Sequence, residues 1–226
     1  MLQRALLAAL ALALPMSACD DMGAEPSMLD APRFLAVRAT PGALAPGDEV
    51  TLEALGWRVD AVTWAACATA WAPTDPPSCP AGEIALGSGN PLTITAPADV
   101  DPLWVRATAT APDGVLPIVR ALASDARADN PEVLALDSGD GPLPVAVAPG
   151  AEQTVRARLS AAVDDGERVV SYYTSAGSFT PFRLYDEGVT TLTAPDAPAE
   201  ATIIAVVRDD AGGAGWLTAT LRVEAP

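Results

Sequence analysis

The chain has 226 residues, with 29 acidic against 13 basic side chains, a net charge of −16, no histidine and no lysine. Without histidine the commonest general base and the commonest zinc ligand are both missing, and without lysine Schiff-base chemistry, a Ser-Lys dyad and a P-loop are excluded. A surface this acidic repels DNA, RNA and anionic head groups, so nucleic acid is not an expected partner.

Residues 1–18 read as a secretory leader. A basic start ends at Arg4, Ala5 to Leu14 form an unbroken Ala/Leu run, and the small residues Ser17 and Ala18 precede Cys19. The run falls short of the roughly 20 apolar residues that cross a bilayer and suits the h-region of a signal peptide. Met16-Ser17-Ala18-Cys19 resembles the lipobox of bacterial lipoproteins. That resemblance implies a diacylglycerol on the Cys19 thiol and cleavage ahead of it. The mature chain would then carry a charge of −17, because Arg4 is the one charged residue of the leader. Residues 19–30 would form a tether to the membrane. The alternatives are an ordinary exported protein in which Cys19 is an incidental thiol, or a leader that receives no lipid.

From residue 31 the hydrophobic period is two, the strand period. Residues 33–39 read Arg-Phe-Leu-Ala-Val-Arg-Ala, residues 49–55 alternate Val50, Leu52 and Ala54 with Glu49, Thr51 and Glu53, and residues 103–109 alternate around Val105. Trp64 and Trp104 are expected to fill this first core. Setting Cys19 aside for lipid leaves Cys67 and Cys79, an even pair in a compartment where disulfides persist. Pro73, Pro76 and Pro77 between them bar regular helix or central strand. A bridge there would pin a loose loop; two separate thiols are the alternative, and two Cys without His fall short of a metal site. Trp71 lies inside this loop, either as a surface aromatic for a sugar or a protein hot spot or packed over the loop's own disulfide.

Residues 126–131 are the expected linker between a first unit, 31–125, and a second, 132–226. In the second, residues 153–159, 168–174, 189–193, 201–208 and 216–223 again alternate, separated by turn signals such as Asp164-Asp165-Gly166 and Asp209 through Gly213. If Tyr172 and Tyr173 lie on a strand they point to opposite faces, one in the core and one exposed as a contact residue. The two units share landmarks in the same order. Leu35-Ala36-Val37 is echoed by Leu134-Ala135-Leu136, Ala45-Pro46-Gly47 by Ala148-Pro149-Gly150, and Thr95-Ala96-Pro97 by Thr193-Ala194-Pro195. Many short strands, 22 Pro residues and frequent turns indicate an all-β chain of two tandem β-sandwiches after the leader.

Each half resembles an immunoglobulin-like or PKD-like domain of bacterial surface proteins. The Ala-Pro-Gly turn enters strand B, an aromatic lies on strand C (Trp64, and Tyr172 or Tyr173), Thr-Ala-Pro precedes strand F, and Asp209 to Gly213 make an F–G hairpin leading to Trp216. The whole chain is similar to the short Ig-like lipoproteins of myxobacteria and their relatives. The antibody pattern of Cys, Trp and Cys is not there, since Cys67 and Cys79 are too close to bridge strands B and F. The resemblance implies a non-enzymatic protein, lipid-anchored in the bacterial cell envelope, in the outer membrane or cell surface or on a periplasmic leaflet. Its role would be structural, adhesive or protein-binding, with an envelope protein or a glycan as partner. A carbohydrate-binding module is one alternative. A calcium-rigidified spacer is the other, because Asp125 to Pro131 resembles the calcium linkers of cadherin-type repeats; otherwise the linker is a solvated hinge and no cofactor is expected. Asp164-Asp165 and Asp209-Asp210 read as turn chemistry. No pair among the 29 acids stands out as the facing carboxylates of a glycosidase, so no catalytic residue is assigned.

Overall fold

The computed structural model describes residues 25–225, apart from 75, 98–100, 113, 123–128, 139–140, 144–145, 162–166 and 186–187. The leader, Cys19, Asp125 and the Asp164-Asp165-Gly166 turn lie outside the described residues. Among the described residues there is no helix, and the chain is all-β. Its first seven strands are β1 (Arg33–Thr40), β2 (Glu49–Trp57), β3 (Thr63–Cys67), β4 (Ile84–Ser88), β5 (Leu92–Thr95), β6 (Leu103–Ala111) and β7 (Gly114–Leu122). Ten more follow: β8 (Val133–Ser138), β9 (Gly141–Pro142), β10 (Ala146–Val147), β11 (Glu152–Leu159), β12 (Arg168–Thr174), β13 (Ser178–Thr180), β14 (Arg183–Tyr185), β15 (Thr190–Thr193), β16 (Ala199–Asp209) and β17 (Ala214–Val223).

Among the described residues, none of these seventeen strands pairs with a strand of the other half. Residues 33–122 make one sheet in the order β1-β2-β5 and another in the order β4-β3-β6-β7; residues 133–223 make β13-β15-β11-β8-β9 and β10-β17-β16-β12-β14. Strip the short β9, β10 and β13, and the two halves share one strand order, the immunoglobulin-like arrangement of A-B-E facing C′-C-F-G. Each pair of sheets encloses its own core. Val37, Val50, Leu52, Trp64, Val105 and Ala107 meet in the first, and Val155, Tyr172, Phe179, Leu192, Ile203 and Leu221 in the second.

The sequence landmarks shared by the halves meet in space. Gly47 N donates to Ala96 O (3.1 Å) and Ala96 N to Asp48 O (2.8 Å); Gly150 N donates to Pro195 O (3.0 Å) and Ala194 N to Ala151 O (2.9 Å). In each half, then, the Ala-Pro-Gly turn is tied to the Thr-Ala-Pro segment, and both Gly47 and Gly150 have positive φ, 87° and 67°, a region open to glycine at little cost.

Two expectations for the large aromatics are corrected. Trp64 is buried, with its Nε1 donating to Gly89 O at 2.8 Å. Trp104 is only half-buried: Leu103, Val105 and Ala107 take the inward positions of β6, and period two turns Trp104 outward. Tyr172 and Tyr173 do point to opposite faces, yet neither is exposed, at 0% and 7% of their surface. Tyr172 sits in the second core, its hydroxyl accepting from Ala157 N at 2.8 Å, and the face that carries Tyr173 is covered by the first half of the chain.

Candidate functional site

That covered face is the most developed feature of the molecule. β16 buries both of its faces. Ile203, Ala205 and Val207 point into the second core, while Ile204 and Val206, with Tyr173 beside them on β12, point away from it and form a third apolar cluster with Leu29, Leu35 and Ala36. Leu55, Trp57 and Trp216 pack around its rim. The outer face of β1-β2 therefore lies on the outer face of β12-β16-β17, and the four sheets stack as layers with three apolar seams. At about 1.5–3 kcal/mol for each fully buried large aliphatic side chain, Leu29, Leu35, Ile204 and Val206 alone make this seam a substantial part of the fold.

Polar groups pin the seam along the length of β1. Arg33 lies over the Tyr173 ring at 5.2 Å, and Arg208 donates to Leu35 O. Within the first half, Arg120 of β7 donates to Val37 O at 2.5 Å beside the seam. Arg38 pairs with Glu53 at 2.5 Å and stacks over Trp216 at 4.3 Å. Asn130, at the end of the linker, donates to Ala39 O (2.7 Å) and accepts from Ala214 N (3.2 Å), so its amide ties both halves together. Burial lowers the Arg120 pKa to about 10, against the opposing pull of Asp209 and with a further push from Arg208. It remains a cation at neutral pH, in a cleft of about 220 Å³ that Val37, Ile118 and Gly212 also line.

The glycines after Asp209 serve this contact. Gly212 has a φ of 84° in the β16–β17 turn. A Cβ on Gly215 would stand 1.9 Å from Pro131 O, and one on Gly213 would stand 2.6 Å from Pro131 Cδ. The linker's last residue thus presses directly on the backbone of β17.

Residues 25–30, read from sequence as part of a tether, lie across the second half instead. Leu29 N donates to Thr174 O (2.7 Å), Thr174 N to Ser27 O (2.8 Å), and Phe179 N to Ser27 Oγ (3.0 Å). Met28 bridges Thr174 in parallel. Leu29 is 1% exposed, and Arg33 clasps the segment by donating to Met28 O at 2.7 Å and Pro26 O at 3.1 Å.

The cysteine loop is a separate arrangement. Cys67 and Cys79 form a disulfide with a Cα–Cα distance of 5.7 Å. Trp71 is 8% exposed, so of its two readings the surface aromatic is the one that fails. The Arg106 guanidinium covers its ring at 4.3 Å and holds the loop through Pro77 O (2.5 Å) and Glu83 (2.8 Å). A stacking ligand would have to displace that guanidinium. The exposed aromatic is Tyr185, 68% exposed, which sequence reading missed; it borders a cleft of about 350 Å³ with Glu167, Arg183 and Asp210. Among the described residues no three His, Cys, Asp or Glu side chains converge as metal ligands.

The strand orders define the class: an immunoglobulin-like β-sandwich protein. No protein-family model matches the chain, and no curated protein matches it. Among solved structures it is similar, at 14% identity and a TM-score of 0.31, to elastase-activated alpha-2-macroglobulin of Escherichia coli, over 85% of this chain and 22% of that one. A chimeric titin Z1Z2 structure is similar at 14% identity and a TM-score of 0.26, over 87% and 97%. Dimeric latent PorU of Porphyromonas gingivalis gives 11% and 0.27, over 86% and 24%. The chain thus spans about a fifth of the length of that macroglobulin. At TM-scores this low the fold assignment stands on the strand orders themselves. The fold is compatible with a structural or protein-binding role.

Proposed function

We propose that this chain is a non-enzymatic, lipid-anchored protein of the bacterial cell envelope, whose stiff stack of β-sheets presents its loops to a protein partner. The observation that carries the mechanical part is the third apolar seam: with Ile204, Val206 and Tyr173 buried against Leu29, Leu35 and Ala36, the linker does not act as a free hinge. Inter-domain contacts within a chain are by default small and mobile, and this one is apolar and pinned at both ends. The anchoring part rests on the Met16-Ser17-Ala18-Cys19 sequence, and the Cys67–Cys79 disulfide agrees with an oxidising compartment. A glycan partner has less support once Trp71 is covered by Arg106. Calcium is not needed for stiffness, since packing supplies it and the Asn130 amide already bonds both halves.

Intact mass spectrometry of the protein from its native membrane tests the anchor. The expected mass is that of a chain starting at Cys19 plus acyl groups, and a Cys19→Ala protein should leave the membrane fraction. An unacylated chain, or a variant that stays membrane-bound, would overturn it.

A further inference from the structure

The strand registers give the molecule two unlike ends. β1 runs from Arg33, over Tyr173, to Ala39, beside Asn130 and Ala214. β7 therefore finishes at the same end at which β8 begins, where the linker joins the halves. In the second half Arg168 pairs with Asp209 at this end, while Thr174 pairs with Ile203 and Ala199 with Val223 at the other. Leu29 is bound to Thr174 there. Residues 25–29 and 223–225 thus lie at one end, opposite the linker. The halves run antiparallel to one another: the Ala45-Pro46-Gly47 turn lies at the linker end and Ala148-Pro149-Gly150 at the other. The Cys67–Cys79 loop also lies at the linker end, since Cys67 pairs with Trp104 and Leu103 with Leu122.

We infer that residues 25–29 are a strap that locks this folded-back arrangement. An anchor ahead of residue 25 would then hold the end that carries residues 25–29 and 223–225 at the membrane and turn the Cys67–Cys79 loop and the 209–214 hairpin outward. The strap makes one parallel β-bridge to β12, Met28 to Thr174, and is not a passive lead-in. Ser27 is fully buried and spends its carbonyl and its hydroxyl on two amides of the second half, and Leu29 fills the seam between the halves. It fixes the N-terminal end of β1 as Asn130 fixes the other, so the seam is closed at both ends. The orientation rests on the anchored reading above. From Cys19 to Glu25 six residues reach about 20 Å at full extension, which leaves little freedom to tip the stack over.

Hydrogen exchange of the full chain in its membrane and cross-linking from a phosphatidylethanolamine with a photoreactive head group test the two parts. The Met28 and Leu29 amides, bonded to Glu25 O and Thr174 O, should exchange at least about 100-fold slower than in an unfolded chain. Leu29→Asp should abolish that protection, and Ser27→Ala should weaken it, while β11 and β15 keep theirs. Exchange of the Met28 and Leu29 amides at the unfolded rate in an acylated protein would overturn the strap and leave the anchor standing. Head-group cross-links should fall on residues 146–150, 195–200 and 223–225; cross-links on 67–83 or 209–214 would overturn the orientation. A protected strap in an unacylated chain would support the lock and overturn the anchored reading together with the orientation.

Discussion

The two sandwiches carry the same face and cover it differently. On the second, the outer face of β12-β16-β17 shows Tyr173, Ile204, Val206 and Trp216, and another pair of strands lies on it. On the first, the matching face of β3-β6-β7 shows Thr63, Ala65, Trp104, Arg106 and Thr108, by the pairing register, and a short disulfide-pinned loop folds over part of it, clamped by Arg106 against Trp71. An apolar face needs a whole sheet to cover it. A face of Thr and Arg needs only a local loop, because its polar groups remain satisfied by water and by that loop.

The comparison is broken most sharply by charging the covered face. Val206→Asp buries a carboxylate opposite Leu35 and Ala36 and should cost more than about 3 kcal/mol in urea unfolding; the same substitution at Thr108 should cost less than about 0.5 kcal/mol. Next, replacing Cys67 and Cys79 with Ala should cost about 3 kcal/mol in the first sandwich, with hydrogen exchange of β12 and β16 unchanged. Gly215→Ala should cost about 1–3 kcal/mol, as an added methyl drives Pro131 off β17, and Asn130 should lose its bond to Ala214. Tyr172→Phe should cost about 1–2 kcal/mol by leaving Ala157 N buried and unpaired. Apart from the Thr108 control, the smallest effect belongs to Arg106→Ala, about 1 kcal/mol from the lost cation–π contact and hydrogen bonds, read best as a red shift of Trp71 emission.

Much of the layered fold was legible. The strands at 49–55, 153–159 and 168–174 alternate as half-buried strands do, and the observed β2, β11 and β12 match them within two residues. The repeated Ala-Pro-Gly and Thr-Ala-Pro segments bond to each other in each half. Trp104 was misplaced because size was weighed over parity: one position from Val105, it had to face away from the core. The third seam was hidden for a different reason. Alternation reads a strand with one buried face, and Ile203-Ile204-Ala205-Val206-Val207 is an unbroken apolar run, the mark of a strand buried on both sides. That run was the signal, and only the partner sheet, β1-β2, lay beyond local reading. Ser27 and Leu29, in a segment with no period at all, gave no sign of their part. Trp71 read either as a surface aromatic or as packed over the disulfide, and its actual cover, Arg106, 35 positions on, was not a visible neighbour.

Small-angle X-ray scattering from the intact chain tests the central claim, that the two sandwiches fold back into one stack. A side-by-side stack should give a radius of gyration near the roughly 17 Å of a single compact chain of this length and a distance distribution with one maximum. A clearly larger radius with a two-lobed distribution would show two beads on an open linker and would contradict the account.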